Sequence, residues 1–173
     1  MRHELRQSVS DLLDNEISEE EFLRRAGVSR ADAGNWSLDL LEDAYRTLDS
    51  DGVMSGLFVG FRFGFLPNHL DVLCRLSEAE WHFSHENVVS ALDNLRDQRA
   101  VDVLYRASLK LHPYLAYDDC RALAVKAIWA LGNLRDETAD EKLRMLAQRD
   151  EKILREAALN QLRRRLENQT APG

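Results

Sequence analysis

Apolar side chains recur along this chain at intervals of three and four, the spacing that gathers them on one face of a helix, and strand-like alternation does not recur. Leu5, Val9, Leu12 and Leu13 place one helix over residues 4–13, and Leu38, Leu41, Tyr45 and Leu48 place another, opened by Ser37 and broken by Asp51-Gly52. Between them, Ile17-Ser18-Glu19-Glu20-Glu21-Phe22 carries a complete helix start. Ser18 can cap, Glu21 can close the capping box, and Ile17 can staple to Phe22. Gly27 then stops that helix. Val53 to Leu66 is the most apolar stretch, and Pro67 stands at a first-turn position ahead of Asn68 to Leu76, where its missing N–H costs nothing. The expectation is an all-α protein.

Gly52, Gly56, Gly60 and Gly64 follow one another at intervals of four. On a helix they form a smooth stripe that lets a second helix approach closely, either within the chain or between chains. A phosphate-cradling loop would need Gly-Lys-Ser/Thr after a strand, which is absent.

The second half repeats. Asn94-Leu95-Arg96-Asp97 and Asn133-Leu134-Arg135-Asp136 are identical tetrapeptides offset by 39 residues. Ala91-Leu92 aligns with Ala130-Leu131, Ala100 with Ala139, and Leu104 with Leu143 at the same offset. A third, weaker copy appears when residues 124–131 are laid over 155–162, an offset of 31, so that the longer step contains an insert around His112 to Asp118. Each copy reads as a helix with Ala and Leu inward, a turn, and an Asp that caps a second helix, with Leu95 and Leu134 plugging the corner. One such hairpin cannot bury its own face, so neighbours must stack.

Ala124 to Ala139, followed by Leu143 and Leu146, resembles a HEAT repeat of the short bacterial type also found in phycobilisome-lyase-like proteins. The resemblance covers Ser84 to Leu166 and implies an α-solenoid of antiparallel helix pairs, an α-α superhelix. Arg135 stands where a Gly is usual in the turn. The third copy lacks the turn and second helix, which makes Lys152 to Leu166 a C-terminal cap. The reading for residues 1–173 is a single solenoid domain, with 1–80 as atypical acidic N-terminal helices and 84–166 as the HEAT-like repeats and cap.

Charge adds a second asymmetry. The net of −7 is unevenly spread: residues 1–80 carry 8 Lys+Arg and 16 Asp+Glu, whereas 81–173 carry 15 and 14. An acidic surface steers basic partners and repels phosphate backbones. No apolar leader or membrane span is visible, and Cys74 and Cys120 form no CxxC pair, so the expected setting is the cytoplasm, with both thiols reduced and filling the core.

Candidate chemistry is sparse. His82 and His85, beside Trp81, are the nearest approach to a metal pair, but Ser84 reads as an N-cap and no third ligand is in view, which makes them solvent-facing histidines at a helix start. His112 reads as a helix-end residue, suited as a cation to the dipole. Tyr114, Tyr117, Asp118, Asp119 and Cys120 form the most distinctive local group. Two readings stay open: aromatic anchors beside carboxylates on a binding edge, or Tyr114 packed under the insert with Asp118 capping the next helix. A catalytic Cys120 is not supported, since adjacent carboxylates would raise its pKa. Trp129 is assigned to the core.

The expected function is non-enzymatic protein binding with no cofactor and no metal. A small acidic HEAT-like protein resembles the immunity or inhibitor component of a toxin system, neutralising a basic partner through Tyr114, Tyr117, Asp118, Asp119 and the acidic runs at Glu19, Glu20, Glu42 and Asp43. Nucleic acid, membrane and small molecules are not the expected partners. Two alternatives from other classes are a HEAT-like alkylpurine DNA glycosylase, whose Lys/Arg stripe is missing here, and a bilin-lyase-like protein handling a chromophore.

Overall fold

The computed structural model describes residues 2–118 and 121–170, and every regular element among them is helical. The chain divides into two compact units, Met1–Ser84 and His85–Gly173. None of the described helices is long and apolar enough to cross a membrane.

The first unit contains α1 (Arg2–Leu13), α2 (Glu19–Ala26), α3 (Ala33–Thr47), α4 (Ser50–Phe63) and α5 (Leu70–Glu78). Helices α3 and α4 form its most extensive pair, α1 packs on α2 and α4, and α5 packs on α3. Phe22 of α2 is fully buried, with the rings of Trp36, Phe58 and Phe63 around it at centroid distances of 5.8, 6.2 and 6.1 Å. Ile17 packs against the same cluster, as its staple position predicts. Ser18 caps α2 by accepting the Glu21 N–H at 3.2 Å, and Gly27 ends it at φ 68°. Only half of the predicted capping box forms. Glu21 turns away to Arg24 and Arg25, because two guanidiniums outbid one backbone N–H for a carboxylate.

Two predicted boundaries are displaced. Helix α3 begins at Ala33 rather than at Ser37, which lies fully buried inside it. Nor does Asp51-Gly52 end α3: the chain turns at Leu48 (φ 52°), and Asp49 accepts the Gly52 N–H at 3.1 Å, placing both residues in the first turn of α4. The buried Ser37 hydroxyl donates to the Gly56 carbonyl at 2.9 Å, and His69 Nε2 lies 3.3 Å from Ser37 Oγ. His69 Nδ1 accepts the Leu66 N–H at 3.0 Å. This relay ties α3, α4 and the start of α5 while satisfying polar groups that have no water.

Of the four glycines, Gly52, Gly56 and Gly60 lie on α4 and pack within the chain, whereas Gly64 ends the helix at φ 110°. A Cβ on Gly56 would meet the Leu41 side chain at 2.8 Å and one on Gly52 would meet Ala44 at 3.0 Å, so α3 and α4 approach closely because both residues lack one. Phe65 covers Gly60.

The second unit contains α6 (His85–Leu95), α7 (Val101–Ala107), α8 (Arg121–Asn133), α9 (Glu137–Ala147) and α10 (Lys152–Thr170). Helix α8 is central, packed between α6 and α10 in one layer, while α7 and α9 pack on it and on each other in a second. Two layers of antiparallel pairs closed by a single long helix constitute a HEAT-like α-solenoid arrangement. The repeated Asp caps as predicted: Asp97 accepts the Arg99 N–H at 2.9 Å, and Asp136 accepts those of Thr138 and Ala139 at 2.9 and 3.2 Å. Leu134 is buried at its corner and Leu95 half-buried at the equivalent one. The two turns still differ, since Arg96 adopts the left-handed region at φ 53° and its counterpart Arg135 does not.

A polar ladder joins the copies. Lys126 pairs with Glu86 at 3.1 Å, Asn133 donates to Asp93 at 2.8 Å, and Lys142 pairs with Asp102 at 2.9 Å. Asn133 also accepts from Arg164 of α10 at 2.6 Å, and Asp140 pairs with Arg165.

Candidate interaction surfaces

The expected acidic residues of the first unit sit in two places. On α3, Asp39, Glu42 and Asp43 share one face by their three- and four-residue spacing. Together with Tyr45, Arg46 and Arg75 they line an open cleft of about 590 Å³. Arg75 reaches from α5 to pair with Glu42 and lies over the Tyr45 ring, 4.5 Å from its centroid, while Trp81 meets that ring edge-on at 6.0 Å. Asp43 pairs with Arg46. The cleft therefore sets Tyr45 beside three carboxylates and two guanidiniums, with Asp39 exposed.

Glu19 and Glu20 on α2 fare differently from each other. Glu19 pairs with Arg30 and Arg62, and the hydrogen bond from Arg30, ahead of the attraction to Arg62, holds its pKa below the ordinary carboxylate value. It thus pins α2 to the C-terminal end of α4. Glu20 is exposed to solvent. Its neighbour Glu21 is pulled down to about 2 by hydrogen bonds from Arg24 and Arg25.

In the second unit, the insert forms a 3₁₀ segment, Pro113–Asp118. Tyr114 is half-buried and Tyr117 is 77% exposed, so one aromatic packs and the other projects. The side chain of Asp118, and Asp119 and Cys120 altogether, lie outside the described residues. Cys74 of α5 is half-buried.

The histidines correct the expectation of solvent exposure. His82 is fully buried because it serves as a backbone surrogate: its Nε2 donates to the Leu76 carbonyl at 2.8 Å and its Nδ1 accepts the Ser84 N–H at 3.1 Å. His85 and His112 are also buried, their rings 3.7 Å apart. Ser84 does not cap α6, since its Oγ is buried without a partner. Tyr114 takes that role, its hydroxyl accepting the His85 N–H at 3.2 Å and lying 2.9 Å from His85 Nδ1. Hence the insert folds back to hold the start of the first repeat. Among the described residues, no group of three or more His, Cys, Asp or Glu is placed to hold a metal ion.

Trp129, assigned to the core by its apolar neighbours, is 47% exposed and lies under the Arg164 guanidinium at 5.1 Å. The signal for this was in the sequence. Ala122, Lys126 and Trp129 fall on one helical stripe, opposite the buried Ala124, Ala127, Ile128 and Leu131.

With this geometry the second unit defines a class, the HEAT-like repeat scaffolds. The comparison with protein families agrees: the PBS lyase HEAT-like repeat model matches residues 123–149, spanning most of α8, its turn and α9. No curated protein and no solved structure matches the chain.

Proposed function

We propose that this protein works by binding, without catalysis, and that it neutralises a basic protein partner in the manner of an inhibitor or immunity component. The observation that carries the reading is the segregation of charge by compact unit. Residues 81–84 hold no charged side chain, so the first unit has 16 carboxylates against 8 cations, and the second is near neutral. Such a surface accelerates and orients encounter with a basic protein. The α3 cleft adds Tyr45 and Arg75, residue types in which interface energy concentrates, beside Asp39, Glu42 and Asp43.

Affinity capture from native extract tests this, followed by a salt titration of the recovered complex. A partner of high isoelectric point is expected, bound with an affinity that falls steeply with ionic strength and is weakened by the combined Asp39→Asn, Glu42→Gln and Asp43→Asn substitutions. Salt-insensitive binding, or indifference to the triple variant, counts against the reading. Nucleic acid retained through purification would favour the glycosylase class, and a spectral shift with a linear tetrapyrrole would favour the bilin-handling one.

A further inference from the structure

A second surface, of opposite sign, lies on the second unit at the corner between α8 and α9. Here a cleft of about 580 Å³ is lined by Arg96, Arg135, Arg164 and Arg165 together with the first residues of α9. Most of its charges are already engaged. Asp136 accepts two backbone N–H groups, Asp140 pairs with Arg165, and Arg96 is held by Asp93 at 3.4 Å and by the Asn133 carbonyl at 3.2 Å. What remains is one exposed carboxylate, Glu137, against two guanidiniums, Arg135 and Arg164.

Arg164 is the informative group. It is half-buried, fixed by Asn133 at 2.6 Å and stacked over Trp129, yet no carboxylate among the described residues pairs with it, and its Nε is buried without a hydrogen-bond partner. A guanidinium withdrawn from water without a counter-charge is costly, and its planar fork matches a carboxylate with two parallel hydrogen bonds. The buried Gln161 side chain fills the space that Gly132 leaves beside it, and its Oε1 lacks a partner too.

We infer that this cleft is a docking site for an acidic peptide segment, with a carboxylate received between Arg164 and Arg135 and an adjacent apolar residue laid on Trp129. Two features favour a peptide over a phosphate backbone. Trp and Arg side by side at a partly desolvated edge are the residues in which protein interface energy concentrates. The chain as a whole, at −7, repels an extended polyanion but not a short segment whose charge meets a local cationic site. The site stands on its own residues and does not depend on the α3 face having a basic partner.

The test is a titration of the ¹⁵N-labelled full chain, read at the Trp129 indole N–H and the Arg164 Nε–H. The probes are a hexapeptide of alternating glutamate and leucine, its lysine counterpart, inorganic phosphate, and a single-stranded oligothymidylate. The glutamate peptide is expected to move both signals saturably, and Arg135→Gln, at an exposed position that leaves the fold intact, weakens the titration about tenfold. Arg164→Lys, which keeps the charge and loses the fork, weakens it as well. The inference is overturned by the absence of a saturable shift up to about 5 mM glutamate peptide, an affinity too weak to matter. Equal response to the lysine peptide also overturns it. So does a response to phosphate or oligothymidylate with the glutamate peptide silent, which would make this a phosphate site.

Discussion

The side-chain amide of Asn133 donates to Asp93 across 40 positions of sequence at 2.8 Å, joining the first repeat to the second. Asn133 also receives Arg164 of α10, so one amide ties three successive helices of a layer. Asn133→Leu should destabilise the protein by about 1–3 kcal/mol, since it takes a hydrogen-bond partner from Asp93 and from Arg164, both in partly buried positions. Denaturant unfolding of Asn133→Leu, Asp93→Ala and the double variant checks this. A coupling energy indistinguishable from zero would mean that the rung does not bind the copies together.

Gly56→Ala sets two effects of opposite sign against each other. Helix propensity favours Ala by about 1 kcal/mol. The new methyl would lie 2.8 Å from the Leu41 side chain and 3.2 Å from its backbone nitrogen, neither of which can withdraw without shifting α3. Overpacking wins, and the variant should lose about 1–3 kcal/mol, seen as a lower melting temperature. A variant as stable as the parent would show that α3 and α4 can part at little cost.

His69 makes the first unit sensitive to mild acid. Burial pushes its pKa below 6.5, only partly opposed by the Leu66 carbonyl, and the neutral ring is the form that accepts the Leu66 N–H. The unfolded chain takes up this proton at its ordinary value and the folded chain only below it. The contribution to stability is therefore complete above about pH 6.5 and is lost as pH falls from there through the folded pKa. Among the described residues the ring's polar and aromatic partners are Ser37, Leu66 and Phe65, none of them charged. Unfolding curves at successive pH values should show the slope below neutrality reduced in His69→Gln. An unchanged slope would assign the acid sensitivity to other groups.

The repeated caps differ in reach. Asp136 accepts two N–H groups at the start of an eleven-residue helix, whereas Asp97 accepts one in front of a single 3₁₀ turn and is further engaged by Arg99. Asp136→Ala should cost about 1–2 kcal/mol, at the upper end for a cap, and Asp97→Ala less. Equal losses in thermal unfolding would show that position within the tetrapeptide, rather than the bonds each Asp makes, sets the cost.

Much of the fold was legible where a local rule had no competitor. Ser18, Gly27 and the two capping Asp residues act as their positions predict, because each satisfies its own neighbouring backbone. The misreadings share a physical origin. Ser37, His82 and His85 look like surface or boundary residues since they are polar, but each is buried against a backbone group or ring brought near by tertiary packing. Sequence spacing cannot reveal such partners. For the candidate sites, the acidic bias was readable from composition, and Glu19 and Glu42 show why composition is insufficient: an Arg from another segment already holds each one. The cleft at Arg164 was hidden because its residues come from three helices and two turns.

The ladder of the second unit is also vectorial. In the first copy the rung residues are Glu86, Asp93 and Asp102, and in the second they are Lys126, Asn133 and Lys142, each 40 positions on although the sequence repeats at 39. In these three rungs the acceptor comes first along the chain and the donor second, one residue out of step. Setting the rung faces of two first copies against each other would bring together carboxylates that in this order meet donors, and such like charges repel. Identical corner tetrapeptides can thus be reused without ambiguity of assembly, because the direction in which the layers add is written in the sign of the charges between them.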